Sequence, residues 1–309
     1  FRVDKVLEGA DWSDNSRSPL KATGVNVNKG YYILSVNGNS LQDVPNIYKT
    51  LIGTASETVE LKVNDEPEVD DSRTVLVKPR KSEKSLYYYN WVQDNIDYVD
   101  SVTNGKVGYV HIPDMVQRGL NEFAENFYPQ LRKEALIVDV RANGGGNVSP
   151  MLIERLRREV AMFSMPRNGT PSPNPGDQIM GPKVCLMDQW SASDGDLFSY
   201  RFRKHNLGPL IGHRSWGGVV GIRGSLPFID GFSLHKPEFA KFDTEGEKWI
   251  IEGHGVEPDI QVTNDPYKLH FGHDNQLDRA IQEILDRLEE NDPEIPDHPP
   301  YPDKSGGSN

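Results

Sequence analysis

The sequence predicts an α/β protein in two parts, a small β-rich domain over residues 1–78 and a strand-and-helix core over 106–291. Three observations carry this. Short alternating segments separated by turn signals fill the first 78 residues. From Lys106 onward, apolar strands alternate with amphipathic helical patterns, as in a sheet covered on both faces. Finally, the apolar run Val184-Cys185-Leu186-Met187 ends in small and polar residues, Ser191-Ala192-Ser193-Asp194, just ahead of a helical pattern with Leu197, Phe198 and Phe202 on one side.

In the first part, Phe1-Arg2-Val3-Asp4-Lys5-Val6-Leu7 alternates as a strand does. Gly30 to Gly38 reads as a strand closed by the Asn37-Gly38 turn. Residues 43–51 place Val44, Ile47, Tyr48 and Leu51 at helical spacing, and 58–63 and 74–77 alternate again. The order strand, Asn-Gly turn, short helix, strand resembles a PDZ domain, most recognisably over Gly24-Val25-Asn26-Val27-Asn28-Lys29-Gly30-Tyr31-Tyr32-Ile33-Leu34-Ser35-Val36-Asn37-Gly38. The glycine-containing loop that grips a peptide carboxylate in that family would precede Phe1, so peptide binding by this domain stays open.

Residues 79–105 carry Tyr87, Tyr88, Tyr89 and Trp91, with Asp94, Asp97 and Asp100 at polar spacing. They read as an exposed linker or surface strand leading to a turn at Asn104-Gly105. Beyond Lys106, 107–112 is a strand and 120–131 a helix with Leu120, Phe123, Ala124 and Phe127 on one face. Residues 135–140 form a near-continuous apolar strand, followed by Asn143-Gly144-Gly145-Gly146-Asn147. A helix with Ser149 as cap and Pro150 in its first turn carries Leu152, Ile153, Leu156 and Val160. The segment 166–182 is a long loop, of the kind that tends to be functional or mobile. Leu210-Ile211-Gly212 is a further strand, and an amphipathic helix runs from Asp274 to about Glu290, to dock on the core or on another subunit. Residues 292–309, rich in Pro, Asp, Gly and Ser, read as a disordered tail.

Composition narrows the partners. The 309 residues carry a net charge of −12 with no basic stripe interleaved with aromatics, which argues against nucleic acid. The single cysteine, Cys185, lies in an apolar strand and reads as a core residue. No apolar run approaches the ~20 residues of a membrane span. No signal peptide is visible and the first residue is Phe1 rather than Met. A cytoplasmic location is expected, with a periplasmic or secreted one left open. His270 and His273 lack a third ligand at metal spacing, so neither a metal nor a cofactor is expected.

A serine at a strand-to-helix corner has backbone N–H groups beside it that can hold an anion. Ser193 occupies such a corner, although a serine there is also an ordinary helix cap. The Gly144–Gly146 turn lies past the end of another predicted parallel strand, at the edge where α/β sheets bind ligands. Its glycines let backbone N–H groups approach a substrate carbonyl, although they would serve a simple tight turn equally. Together, the N–H groups of Gly146 and Asp194 suggest an oxyanion hole beside a nucleophile.

Four motifs in order then resemble the tricorn proteases, a branch of the tail-specific, C-terminal-processing serine peptidases. They are Asp139-Val140-Arg141-Ala142-Asn143-Gly144-Gly145-Gly146, Ser191-Ala192-Ser193-Asp194-Gly195-Asp196, Ser215-Trp216-Gly217-Gly218-Val219-Val220 and Glu252-Gly253-His254-Gly255-Val256-Glu257-Pro258-Asp259. The resemblance runs from the PDZ-like segment to the last helix. It implies an α/β sandwich of the ClpP/crotonase-like spiral type for the core. Ser193 matches the nucleophile, and Gly146 and Asp194 match the oxyanion-hole donors. Glu252 matches the carboxylate that orients the catalytic histidine through a serine. Gly144 and Gly145 would flank the substrate. The resemblance further implies peptide substrates, a ring-like homo-oligomer such as a hexamer, and β-propeller domains ahead of the segment seen here.

Three departures follow. The family's base histidine stands upstream of the PDZ domain, ahead of Phe1, so the chain alone is expected to be weakly active or inactive. Among the eight histidines present, His254 is the one substitute close to a motif, and His111 reads as structural. The lysine base of the simpler tail-specific proteases would fall on Gly218, which disfavours a Ser–Lys dyad. Ser164 stands where archaeal members carry an acid that receives a basic substrate side chain, so 163–167 would suit a less charged one. Three functions remain at this point: a serine endopeptidase, a non-catalytic peptide-binding module, and an oxyanion-hole hydratase acting on coenzyme-A thioesters. The last is weakened because no basic cluster for a nucleotide phosphate stands near Gly144.

Overall fold

A computed structural model describes residues 1–10, 12, 16–224, 227–291 and 294–302, with the side chain of residue 223 excepted. The tail expected over 292–309 therefore lies partly outside the described residues, and 294–302 form no helix or strand. The chain divides into two compact units, Phe1–Asn95 and Ile96–Asn309.

In the first unit, β1 (Tyr32–Val36) and β2 (Asn39–Ser40) are joined by Asn37 and Gly38 at φ +49° and +76°, the positive pair that a tight hairpin turn demands. With β3 (Val59–Asn64) and β4 (Arg73–Val77) they form an antiparallel sheet in the order β2-β1-β3-β4. Alternate residues Val59, Leu61, Val63, Val75 and Val77 face a core shared with Val25, Val27 and Val36. This is the PDZ-like, β-rich part that the sequence implied. The helix expected over 43–51 shortens to a 3-10 turn, Ile47–Leu51. Pro45 disfavours a helical residue before it, and the Asn46 side chain starts the turn anew by accepting the Tyr48 N–H at 2.9 Å.

The linker or surface strand expected over 79–105 is corrected to a 19-residue helix, α1 (Lys84–Val102). Leu86, Val92 and Val99 are buried along it, and Ile96 packs on the second unit's core. The tyrosine run masked this stripe. The threefold spacing of Asp94, Asp97 and Asp100 was in fact the solvent face of a helix.

The second unit is built on β5 (Val107–His111), β6 (Ala135–Asp139), β9 (Lys183–Met187), β10 (Leu210–Gly212) and β13 (Ile260–Gln261), all parallel. Their spatial order, β13-β10-β9-β6-β5, is the sequence order, each new strand joining the same growing side. The first four are wholly buried, which explains their unbroken apolar runs. One face, with Tyr109, Ile137, Val184, Leu186 and Ile211, is covered by α6 (Asn275–Glu290) through Leu277, Ala280, Ile281 and Ile284. The last helix thus docks on this core, capped by Asp274, which accepts the N–H groups of Gln276 and Leu277. The other face packs on α2 (Gln117–Phe127), α3 (Ser149–Leu156) and α4 (Asp194–Lys204) through Phe123, Phe127, Leu152, Leu156, Phe198 and Phe202.

Helix α3 stops at Leu156, before Val160. The loop expected over 166–182 is in part a hairpin of β7 (Met162–Ser164) and β8 (Ser172–Asn174). A second hairpin joins β11 (Gly221–Arg223) and β12 (Lys236–Phe239), and a short α5 (Pro266–His270) precedes α6. Because the five central strands are parallel, the segments leaving β5, β6, β9 and β10 emerge along one sheet edge, where such sheets place their ligands.

Candidate active site

Two of those exits are laced together. The Asp188 carboxylate, just past β9, accepts the Ala142 N–H past β6 at 2.9 Å, and the Ser191 hydroxyl donates to the Val140 carbonyl at 2.8 Å. Buried Asn143 carries the lacing further. Its side chain donates to the Ile112 carbonyl and accepts the Gly145 N–H, and its carbonyl accepts the Ala192 N–H. Every link is a backbone group met by a backbone or short side-chain partner, so the edge is held without long flexible side chains.

At the end of this lacing stands Ser193, at φ +55° and ψ −115°. A non-glycine residue there costs on the order of 1–3 kcal/mol and marks a position worth a functional question. Ser193 occupies the N-cap of α4, yet its hydroxyl makes no capping hydrogen bond. The turn Gly144–Gly146 passes directly against it: a Cβ on Gly145 would lie 2.6 Å from Ser193 Cβ and 3.1 Å from Asp194 N. Gly146, at φ +148°, presses on β5's exit, where a Cβ would lie 2.0 Å from the Met115 carbonyl oxygen. Only glycine fits at either position. Among the described residues, neither the Gly146 nor the Asp194 N–H meets a hydrogen-bond acceptor.

The Asp194 side chain works away from this opening. Its carboxylate accepts the Ser149 N–H at 2.8 Å, the Ser149 hydroxyl at 2.6 Å and Arg201 Nη1 at 3.2 Å. Arg201 also donates to the Ser149 hydroxyl. Ser149 is therefore not the helix cap the sequence suggested. Val148 occupies that position without a side-chain cap, and Asp194 takes the helix-start N–H of Ser149 instead. This brace joins the strand-to-helix corner at Asp194 to the helix that follows Gly146.

Glu252 reaches the same edge through the segment leaving β10. The Trp216 N–H donates to the Ser191 carbonyl, and the Gly253 N–H donates to the Gly217 carbonyl at 2.7 Å. Glu252 is exposed, and its Oε2 accepts the N–H groups of Val219 and Val220 at 2.7 and 2.8 Å. The carboxylate is thus aimed by backbone donors on Oε2, and Oε1 has no hydrogen bond among the described residues. At Gly218, a Cβ would lie 2.3 Å from the Trp216 ring, so a side chain there requires that ring to move.

The histidines are placed plainly. His254 Nε2 accepts the Ile251 N–H at 3.2 Å, which leaves Nδ1 to donate to the Glu252 carbonyl at 3.0 Å. Both ring nitrogens serve their own turn. His111 is buried, and Nε2 contacts the Arg141 carbonyl at 3.0 Å. Burial holds its pKa below the ordinary imidazole value. Ser164 lies exposed on the 162–174 hairpin, its hydroxyl accepting the Asn174 side chain at 3.1 Å, with no hydrogen bond to the Ser193 corner. A cleft of about 630 Å³ lined by Arg155, Arg158 and His205 sits at the far ends of α3 and α4 from Ser193. Among the described residues, no group of three His, Cys, Asp or Glu could hold a metal ion, and no helix is long and apolar enough to cross a membrane.

Sequence reasoning missed Asn143 as the hub of the lacing, the Ser149–Arg201 brace, and Asp196, which is fully buried beside Ser193. Asp196 had a visible signal, the spacing Ser193-x-x-Asp196 of a capping box.

Comparison with known proteins gives the family and the fold. Residues 106–262 match peptidase family S41, and residues 1–82 match the tricorn protease PDZ domain. The tricorn protease of Thermoplasma volcanium is 36% identical over 297 residues, covering 96% of this chain and 28% of that protein. A tricorn protease homolog of Saccharolobus solfataricus is 39% identical over 291 residues, covering 93% of this chain and 26% of that protein. The crystal structure of the tricorn protease superimposes with a TM-score of 0.84 at 35% identity, over 93% of this chain and 28% of that one. The chain thus spans little more than a quarter of the length of these relatives.

Proposed function

The chain belongs to peptidase family S41, and on that premise we propose that it carries the acyl-transfer site of a serine endopeptidase of tricorn type acting on peptides. The observation that carries the reading is the Ser193 hydroxyl. It is left out of helix capping where the Gly144–Gly146 turn passes against it, and the Gly146 and Asp194 N–H groups meet no acceptor among the described residues.

Ser193 Oγ attacks the scissile carbonyl carbon, and its proton passes to a base. The carbonyl oxygen, now negative, is held by the Gly146 and Asp194 N–H groups, which are fixed in place before the charge develops. The C–N bond breaks as the base returns the proton to the departing amine, and water then releases the acyl group by the same steps. The base is a histidine outside residues 1–309, oriented through an intervening hydroxyl by Glu252. Two observations favour an outside base: both nitrogens of His254 serve their own turn, and His111 is buried against a carbonyl. The Val219 and Val220 N–H groups keep Glu252 aimed.

The test is covalent labelling of the intact protein with a fluorophosphonate, alongside hydrolysis of fluorogenic peptides. Labelling should map to Ser193, and Ser193→Ala should abolish it and lower hydrolysis by on the order of 10⁴-fold. A correctly folded protein that neither labels nor hydrolyses would instead favour a peptide-binding module.

A further inference from the structure

The first turn of α4 holds a second buried acid that the steps above do not use. Asp196 is fully buried, its Oδ1 accepting the Ser215 hydroxyl at 2.5 Å and the Gly217 N–H at 2.8 Å. Its Oδ2 has no hydrogen-bond partner among the described residues. Burial pushes its pKa up, while the hydrogen bonds from Ser215 and Gly217 and the nearby N–H groups of Gly218 and Ser193 favour the charged form. A buried carboxylate with an open oxygen is costly to keep, and a valine or leucine there would spare that cost.

Its place in the chain gives a reason. Counted from Ser193 at the N-cap, Asp196 is the third helical residue, N3. In a complete capping box the N3 acid reaches back to the N-cap N–H, and the N-cap hydroxyl closes the helix start in return. Here neither half closes: the Ser193 hydroxyl caps nothing, and Asp196 turns its Oδ1 to Ser215 and Gly217 instead. The acid ties the first turn of α4 to the 215–217 segment and leaves the Ser193 hydroxyl free of capping. In the other direction, the Ser215 hydroxyl that Asp196 holds accepts the Val256 N–H at 2.8 Å, and the Gly217 carbonyl accepts the Gly253 N–H at 2.7 Å. One carboxylate therefore connects the first turn of α4 to the segment that carries Glu252.

We infer that Asp196 is a positioning residue: from the first turn of α4, three residues past Ser193, it fixes the Ser193 corner and the Glu252 loop against each other. This rests on the reading of Ser193 as the nucleophile.

The experiment is the rate of fluorophosphonate labelling of the intact protein, resolved into the probe's binding constant and its maximal bonding rate. Asp196→Ala should lower the maximal rate by about 100-fold, the scale of a misplaced reacting group, and leave probe binding within about twofold. A merely structural residue would change the fraction of protein that labels, not the rate constant of the part that does. Should Asp196→Ala fail to melt cooperatively, Ser215→Ala decides, since it removes one of the two hydrogen bonds on Oδ1. A fall of about tenfold in its maximal rate supports the inference. Wild-type rates in whichever variant folds overturn it. If the wild type itself fails to label, the nucleophile reading falls first, a result distinct from labelling that ignores Asp196.

Discussion

The corner at Ser193 and the turn at 251–255 each hold a non-glycine residue at positive φ, Ser193 at +55° and Ile251 at +72°. They are held by different means. The corner is pinned from beneath by buried groups, Asn143, Asp194 and Asp196, each tied to a different strand exit or helix. The 251–255 turn closes on itself through its own ring, His254, and local backbone bonds to Ile251, with the Gly253 N–H on the Gly217 carbonyl tying it to the edge. A group that must meet a developing charge gains from the first arrangement, because fixed donors need no reorganisation. A carboxylate that only orients another side chain can stand on the second, with two backbone donors setting its direction. The difference predicts that damage to the corner costs fold and chemistry together, whereas damage to the turn separates them, Glu252 bearing on chemistry and His254 on local stability.

Gly146→Ala attacks the corner and should have the largest effect. The new Cβ would lie 2.0 Å from the Met115 carbonyl oxygen, at a φ of +148° that alanine rarely adopts. A backbone neighbour cannot rotate aside, so β5's exit must shift. We expect a loss of about 3 kcal/mol or more in urea unfolding, together with loss of Ser193 labelling. Near-wild-type stability would mean that the edge is laced less tightly than the hydrogen bonds indicate.

The two regions also differed in how far the sequence disclosed them. Ser193 was legible because an apolar strand, a small-residue break and a helical pattern meet there, and because a glycine run marks the next strand's end. Those are local signals, and the parallel topology they imply brings both exits to one edge. Glu252 had no such local mark: an exposed acid before Gly253-His254 looks like any surface turn, and only resemblance singled it out. Ser149 was misread for the same physical reason. Its hydroxyl suits a cap by local rules, but the partner that won is Asp194, 45 positions away, which periodicity cannot reveal. Helix α1 was missed because three tyrosines and a tryptophan blurred an otherwise regular stripe of Leu86, Val92, Ile96 and Val99.

Glu252→Gln tests the turn alone. The amide oxygen can still accept the Val219 and Val220 N–H groups, so urea stability should stay within about 0.5 kcal/mol, as for most exposed substitutions. Peptide hydrolysis by the intact protein should fall by about 10²-fold, the scale of a lost acid–base contribution. A large loss of stability would place Glu252 with the corner rather than with the turn.

His254→Ala is the smallest change and the sharpest discriminator. Were His254 the base that takes the Ser193 proton, its removal would cost about 10²–10⁴-fold in rate. The geometry argues otherwise. Nε2 accepts the Ile251 N–H, so the neutral ring carries its proton on Nδ1, and that proton goes to the Glu252 carbonyl. To act as a base the ring must release the Ile251 N–H and turn out of its own loop, leaving Ile251 at φ +72° without that support. We therefore expect hydrolysis within about twofold of wild type and a stability loss of about 1 kcal/mol from the two turn contacts. A fall of 10² or more in rate, with stability preserved, would move the base into this chain and make the turn, not the corner, the less finished half of the site.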